Sequence, residues 1–173
     1  SLFAMLSTGV TTCLPTVITG SEDWQIQCFH ALEAGRNASK LAQAMVPGYH
    51  LEGPFLNPEE GFCGCHPTKW MRSATWDHFE RLQEAAGGRI TLITVAPEIK
   101  GVLDLIPKWV EKGIAVAIGH CNPDRDTLLR AADAGATLST HLGNGIAQML
   151  PKTDNPILGQ LAEDRFSASF IAD

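Results

Sequence analysis

The chain has 173 residues, with 13 Lys or Arg against 19 Asp or Glu, so its formal net charge is −6. Apolar residues make up 45% of it, which is typical of a globular domain with a sizeable core. The acidic balance argues against nucleic acid as a partner, and no apolar stretch reaches the roughly 20 residues of a membrane span. The first residues lack the charged start of a signal peptide, and five irregularly spaced cysteines predict free thiols in a reducing cytoplasm.

Strands and helices are predicted to alternate along the chain. In order, the expected elements are a strand at 9–18, a helix at 21–45, a strand at 46–56, a long loop at 57–71, a helix at 75–87, a strand at 89–98, a helix at 101–113, a strand at 114–121, a helix at 122–135, a strand at 136–142, a loop at 143–156, a helix at 158–165 and a last strand at 166–173. The strands are nearly continuous apolar runs, which indicates a parallel α/β sheet with helices outside it.

The number of strands suggests part of a closed barrel. Six strands in 173 residues is about 29 residues for each strand and its crossover, close to the size of a βα unit. A complete (β/α)8 barrel takes about 250 residues. The expected fold is therefore a partial TIM-like barrel with six of the eight strands, and an open six-stranded sheet is the alternative.

Polar residues gather where the predicted strands end. Glu52, Glu98, His120, His141 and Asp173 each lie at the C-terminal end of a strand, the position of catalytic residues in (β/α)8 barrels. One carboxylate and two imidazoles from separate strand ends, Glu52, His120 and His141, form a three-ligand metal site with an open position. Such donors suit Zn²⁺, and Fe²⁺ or Co²⁺ less specifically. The alternative is that each His is an ordinary polar residue at a sheet edge.

Each of four other polar residues has more than one reading. His50 lies on the same strand face as Glu52, as a fourth ligand, a partner of Glu52 or, the favoured reading, a buried His bonded to the backbone. His66, in a loop shaped by Gly and Pro, either reaches over a substrate or lies on the surface. Asn144 lies between two glycines, in an anion- or sugar-binding loop or a plain turn. Glu98 either shares the cavity or caps the next helix.

Four segments together resemble the N-acetylglucosamine-6-phosphate deacetylases of the amidohydrolase superfamily. They occur in the family's order and are GYHLEGPFLNPEEGFCGCHP, TLITVAPE, AIGHCN and THLGNG, with FIAD at the end. The resemblance implies a TIM-like barrel whose divalent metal, Zn²⁺ first and Fe²⁺ or Co²⁺ otherwise, activates water for attack on an amide. It also implies hydrolysis of N-acetylglucosamine 6-phosphate to glucosamine 6-phosphate and acetate, by a cytoplasmic enzyme that is a homo-oligomer, a dimer, at full length.

The resemblance assigns roles to six residues. The family's metal ligands fall on Glu52, His120 and His141. Its substrate-binding residues fall on His66, on Asn144 and on the backbone amide of Gly145.

The chain also departs from the family pattern. The phosphate-binding Arg expected soon after the last motif is missing, and Lys152 is the only cation there. A different or unphosphorylated N-acylated amino sugar is therefore an alternative substrate. The family's general base is expected beyond residue 173, so no catalytic residue is assigned within the chain. Residues 1–173 are expected to be the central part of one catalytic barrel domain, without its terminal strands and small β domain. A non-catalytic fragment is a further alternative.

Overall fold

The computed structural model describes residues 2–171, which form one parallel sheet covered by helices. The strands are β1 (Thr16–Ile18), β2 (Tyr49–Glu52), β3 (Ile90–Val95), β4 (Ala115–Ile118), β5 (Leu138–Ser139) and β6 (Ser167–Ala168). Each strand pairs in parallel with the strands before and after it, in the order β1 to β6. The predicted six-stranded α/β sheet is confirmed.

One helix precedes the first strand, and the others lie in the crossovers between strands. They are α1 (Leu2–Ser7), α2 (Glu22–Asn37), α3 (Lys40–Met45), α4 (Trp76–Ala85), α5 (Val102–Glu111), α6 (Arg125–Asp133) and α7 (Pro156–Leu161), with a 3₁₀ turn at Thr68–Trp70. Within the described residues, no helix combines the length and apolar character needed to cross a membrane.

Two predicted elements differ at the N-terminal end. The strand expected at 9–18 is reduced to β1, and a short helix, α1, precedes it. Pro15 has no N–H to give to the sheet, so regular pairing begins after it. The helix expected at 21–45 is two helices, because the side chain of Ser39 accepts a hydrogen bond from the N–H of Ala42 and starts a new one. At the other end, residues 172 and 173 of the last predicted strand lie outside the described residues.

The central strands carry the core and fix the positions of the site residues. Ile93, Val116 and Ile118 are fully buried, as expected of strands covered on both faces. In the register of β4 with β5, Ile118 is paired with Ser139. His120 and His141 each come two residues after these partners, so they leave neighbouring strands at equivalent positions.

Candidate metal centre

Three side chains from three different strand ends meet at one point. The Nε2 atoms of His120 and His141 lie 3.1 and 3.0 Å from the same oxygen, Oε1 of Glu52. The three donor atoms lie within 4.8 Å of one another. Glu52 and His120 are 8% and 5% exposed, so water competes little for these groups. This cluster is a candidate site for one metal ion.

Both histidines adopt a backbone conformation that is rare outside glycine. The φ angle is 51° at His120 and 33° at His141, in the left-handed region, and these are the non-glycine residues with positive φ in the described part of the chain. Such conformations persist where the surrounding structure enforces them. Both left-handed residues occur at equivalent strand ends. We therefore associate this backbone conformation with the direction in which the two imidazoles leave the strands.

One hydrogen bond determines which nitrogen of the His120 ring must carry a proton. Its Nδ1 lies 2.9 Å from the carbonyl oxygen of Phe62. A carbonyl can only accept, so Nδ1 carries a proton, and in the neutral form of the ring the lone pair of Nε2 faces Glu52 Oε1. Two acceptors at 3.1 Å repel each other unless a proton or a cation lies between them. The donor set therefore fits a cation with affinity for imidazole nitrogen and carboxylate oxygen.

The electrostatics keep Glu52 ionised. Burial alone would raise the pKa of this carboxyl group, but the imidazoles of His120, His141 and His66 around it outweigh burial and hold the pKa well below its usual range. The hydrogen bond with Glu52 in turn raises the pKa of His141. The centre thus offers a permanent negative charge beside two imidazoles.

His66 lies beside these donors rather than on the surface. It is 3% exposed, its Nε2 is 3.6 Å from Glu52 Oε1, and its ring centroid is 4.4 Å from that of His120. On the other side of the ring, Nδ1 lies 2.9 Å from the hydroxyl of Thr19 and accepts a 3.4 Å hydrogen bond from the Thr19 N–H. The proton of a neutral His66 is therefore on Nε2, facing the site. The surface-loop alternative is wrong, whereas its role towards substrate stays a prediction.

Asn144 and Gly145 form a turn against His141 and His120, the two histidines of the candidate site. The N–H of Asn144 donates to the carbonyl of His141 at 2.8 Å, and the Asn144 side chain is exposed. Gly145, at φ 60°, lies against the ring of His120. The loop is therefore both a turn and a wall of the site, and its contacts with a sugar stay a prediction.

The favoured reading of His50 is right about its burial and wrong about its hydrogen-bond partners. Its ring does not bond to the backbone but lies between two hydroxyls, with Nδ1 3.1 Å from Thr16 Oγ1 and Nε2 2.7 Å from Thr94 Oγ1. Burial lowers its pKa to about 4. With Glu52 and His141 it lines a cavity of about 300 Å³ on the inner side of the strand ends.

Sequence reasoning missed the partners that hold the histidines, and one of its two readings of Glu98, the helix cap, is wrong. Phe62 and Thr19 act through 58- and 47-residue separations, and nothing in their local sequence marks them. Glu98 does not cap the next helix, because α5 begins after Gly101 with no side-chain cap. Its carboxylate instead bonds to two asparagines, Asn57 and Asn122.

Comparison with known proteins gives one consistent family. N-acetylglucosamine-6-phosphate deacetylase of Bacillus subtilis is 33% identical over 168 residues, which are 95% of this chain and 42% of that protein. N-acetylgalactosamine-6-phosphate deacetylase of a Shewanella strain is also 33% identical, over 172 residues that cover 95% of this chain and 40% of that protein. No protein-family model matches the chain.

Solved structures agree with the sequence relatives. The crystal structure of N-acetylglucosamine-6-phosphate deacetylase from Pasteurella multocida superposes with a TM-score of 0.81 at 28% identity, covering 99% of this chain and 45% of that one. The predicted partial barrel of the amidohydrolase type is thereby confirmed. The chain spans about two fifths of the length of the curated relatives it matches. The resemblance read from the sequence is confirmed as well: this chain is homologous to a segment of the N-acetylglucosamine-6-phosphate deacetylases.

Proposed function

We propose that this chain forms the metal-binding part of an enzyme that hydrolyses N-acetylglucosamine 6-phosphate to glucosamine 6-phosphate and acetate. The observation that carries the proposal is the meeting of two imidazole Nε2 atoms at one oxygen of Glu52, 3.0 and 3.1 Å away. The relatives named as deacetylases of N-acetylated hexosamine phosphates supply the reaction.

The metal we propose is a single Zn²⁺ held by Glu52, His120 and His141. Two nitrogens and one oxygen are a usual ligand set for catalytic zinc and leave a coordination position for a water molecule. When bound, zinc lowers the pKa of that water and polarises the amide carbonyl.

The remaining residues would bind and orient the sugar. Thr19 holds Nδ1 of His66, so that the Nε2 proton is available to an oxygen of the acetamido group. The exposed amide of Asn144 and the backbone N–H of Gly145 would bind hydroxyl or phosphate oxygens at the rim. We assign the proton transfers to none of these residues.

A second candidate substrate is an N-acetylated hexosamine of another configuration or without phosphate. Residues 143–156 contain no Arg, and Lys152 is exposed. One relative is named for N-acetylgalactosamine 6-phosphate, which shows that the family is not restricted to one sugar.

The first test is metal binding by the purified chain after chelator treatment. We expect about one Zn²⁺ per chain, and at least a tenfold loss of affinity in Glu52→Gln, His120→Ala and His141→Ala. His30 is an exposed histidine of α2, so His30→Ala is the matched control and should bind as the wild type does. Wild-type binding no stronger than that of these variants would reject the metal site.

The second test separates the sugars. Calorimetric binding of N-acetylglucosamine, its 6-phosphate and N-acetylgalactosamine 6-phosphate to the zinc-loaded chain does not require turnover. Preference for N-acetylglucosamine 6-phosphate supports the proposal, and equal binding without phosphate favours the second candidate. Acetate release by the same chain, of the order of 1–10³ s⁻¹ for ordinary enzymes, would reveal a base among these residues.

A further inference from the structure

Glu98 ties together two loops that leave the sheet on either side of β3. Its Oε1 accepts a 3.0 Å hydrogen bond from Nδ2 of Asn57, in the loop after β2. The same oxygen accepts a 2.6 Å hydrogen bond from the backbone N–H of Asn122, in the loop after β4. One carboxylate oxygen therefore links the chain that follows Glu52 to the chain that follows His120.

Asn57 carries this link directly to His120. Its backbone N–H donates to the carbonyl oxygen of His120 at 3.0 Å, and its Oδ1 accepts from the N–H of Glu59 at 2.8 Å. Asn57 is 5% exposed, so these bonds are shielded from water. His120 is thus held through its own carbonyl on one side and through Asn122, two residues later, on the other.

This anchoring explains how His120 keeps an unfavourable backbone conformation. A φ of 51° costs a histidine free energy and needs neighbours that enforce it. The other oxygen of Glu98, Oε2, is buried without a partner in the described residues, which is itself costly. Within the described residues, the side chain of Glu98 bears this cost and forms no hydrogen bond with Glu52, His120 or His141, so it is placed to act through the loops.

We propose that Glu98 is a positioning residue that, through Asn57 and Asn122, holds His120 in the left-handed conformation from which Nε2 points at Glu52. The inference rests on the metal site proposed above and adds to it a residue that contacts neither metal nor sugar. Residues that orient metal ligands typically change metal affinity 10–100-fold when they are removed.

The test compares zinc affinities of the chelator-treated chain and its variants. Glu98→Ala should bind Zn²⁺ about 10–100-fold more weakly, whereas Glu98→Gln, which keeps an Oε1 acceptor, should stay close to the wild type. Gln83 also bonds a strand backbone, at both the N–H and the carbonyl of Ile90, but at the opposite end of β3. Gln83→Ala is therefore the matched control for a lost side-chain clamp and should leave zinc affinity unchanged.

A double variant tests whether Glu98 acts through His120. In a His120→Ala background, Glu98→Ala should cause no further loss of zinc affinity, because the residue that it positions is gone. An equal loss in both backgrounds, or an unchanged affinity in Glu98→Ala, would overturn the proposal. Should Glu98→Ala not fold, Asn57→Ala replaces it. This variant removes the hydrogen bond between Asn57 and Glu98 but keeps the backbone hydrogen bond to His120, and in each of the two backgrounds we expect the change in zinc affinity that is given above for Glu98→Ala.

Amide hydrogen exchange of the metal-free chain separates this inference from the proposed function. Glu98→Ala should speed exchange at Asn57 and Asn122 at least tenfold, and Gln83→Ala should not. If the wild type binds no Zn²⁺, the proposed function fails while the exchange result still decides the clamp. Unchanged exchange at both amides would refute the clamp whatever the zinc result.

Discussion

Gly145 lies so close to His120 that a Cβ atom built on the glycine would be 2.4 Å from both Cε1 and Nδ1 of the imidazole. Gly64 approaches the same ring, and its Cβ would be 2.8 Å from Cε1. The ring of His120, a candidate metal ligand, is therefore packed between two glycines from different loops, and neither position has room for a larger residue.

Gly145→Ala should weaken zinc binding about 10–100-fold, because the new methyl group must displace the His120 ring from Glu52. Gly143→Ala is the matched control, since Gly143 also has a positive φ, of 92°, but no atom within 4 Å of its would-be Cβ. Chelator competition measures both affinities. Equal losses of zinc affinity in the two variants would mean that backbone strain, and not displacement of the His120 ring, causes the effect.

His66→Ala should lower the affinity for N-acetylglucosamine 6-phosphate roughly ten- to hundredfold and leave zinc affinity within a few-fold of the wild type. The reason is that the lost Nε2–H is a donor to substrate in our proposal, and one such bond is worth about 1–3 kcal/mol. Calorimetry of the zinc-loaded chain checks the sugar, and chelator competition checks the metal. A variant that loses its zinc would show that His66 is a ligand.

The stability of the metal-free chain should depend on the protonation of His141. Its pKa is raised above 6.5, chiefly by the hydrogen bond with Glu52, so its stabilising effect is complete below that value and is lost as the pH rises through the folded-state pKa. The difference in unfolding free energy between wild type and His141→Ala should therefore shrink from about pH 6.5 upwards. Urea unfolding with chelator present measures it.

Saturating Zn²⁺ should reverse this dependence. Metal binding requires neutral imidazole, so the zinc-loaded wild type should gain stability over His141→Ala as the pH rises. The same slope with and without zinc would mean that His141 does not bind the metal.

The left-handed backbone of His141 predicts an inverted order of glycine and alanine. In the metal-free chain, His141→Gly should be about 1 kcal/mol more stable than His141→Ala, because only the glycine is free of the left-handed penalty at φ 33°. At His30, in the regular helix α2, the order should be the usual one, with alanine about 1 kcal/mol better. Urea midpoints of the four variants test this, and the same order at both sites would show that His141 carries no backbone strain.

The core strands could be predicted from the sequence, because parallel strands that are buried on both faces consist of nearly continuous apolar residues. It therefore located Glu52, His120 and His141 at strand ends. It did not reveal the break at Ser39, where a single side-chain bond decides against one long helix, nor the helix α1. Both features depend on local competition between alternative hydrogen bonds of the backbone, and the spacing of apolar residues does not reflect this competition.

The supports of the site were beyond sequence reasoning for a different reason. The carbonyl of Phe62 and the hydroxyl of Thr19 contact their histidines across long separations in sequence. Every residue has a backbone carbonyl, so the residue type at position 62 does not indicate this contact. His50 was misread because its partners, Thr16 and Thr94, come from the neighbouring strands, and only the register brings them alongside.

At the two left-handed histidines, a substitution that raises the thermal stability of the metal-free chain would lower its affinity for metal. Selection for heat resistance alone, with metal absent, would reward glycine or asparagine at positions 120 and 141, since these residues adopt that backbone at a lower free-energy cost than histidine does. Each such gain would delete a donor. A stabilised library of this chain should therefore be screened with zinc present, since an ion bound by the two histidines would make them the more stable choice at these positions.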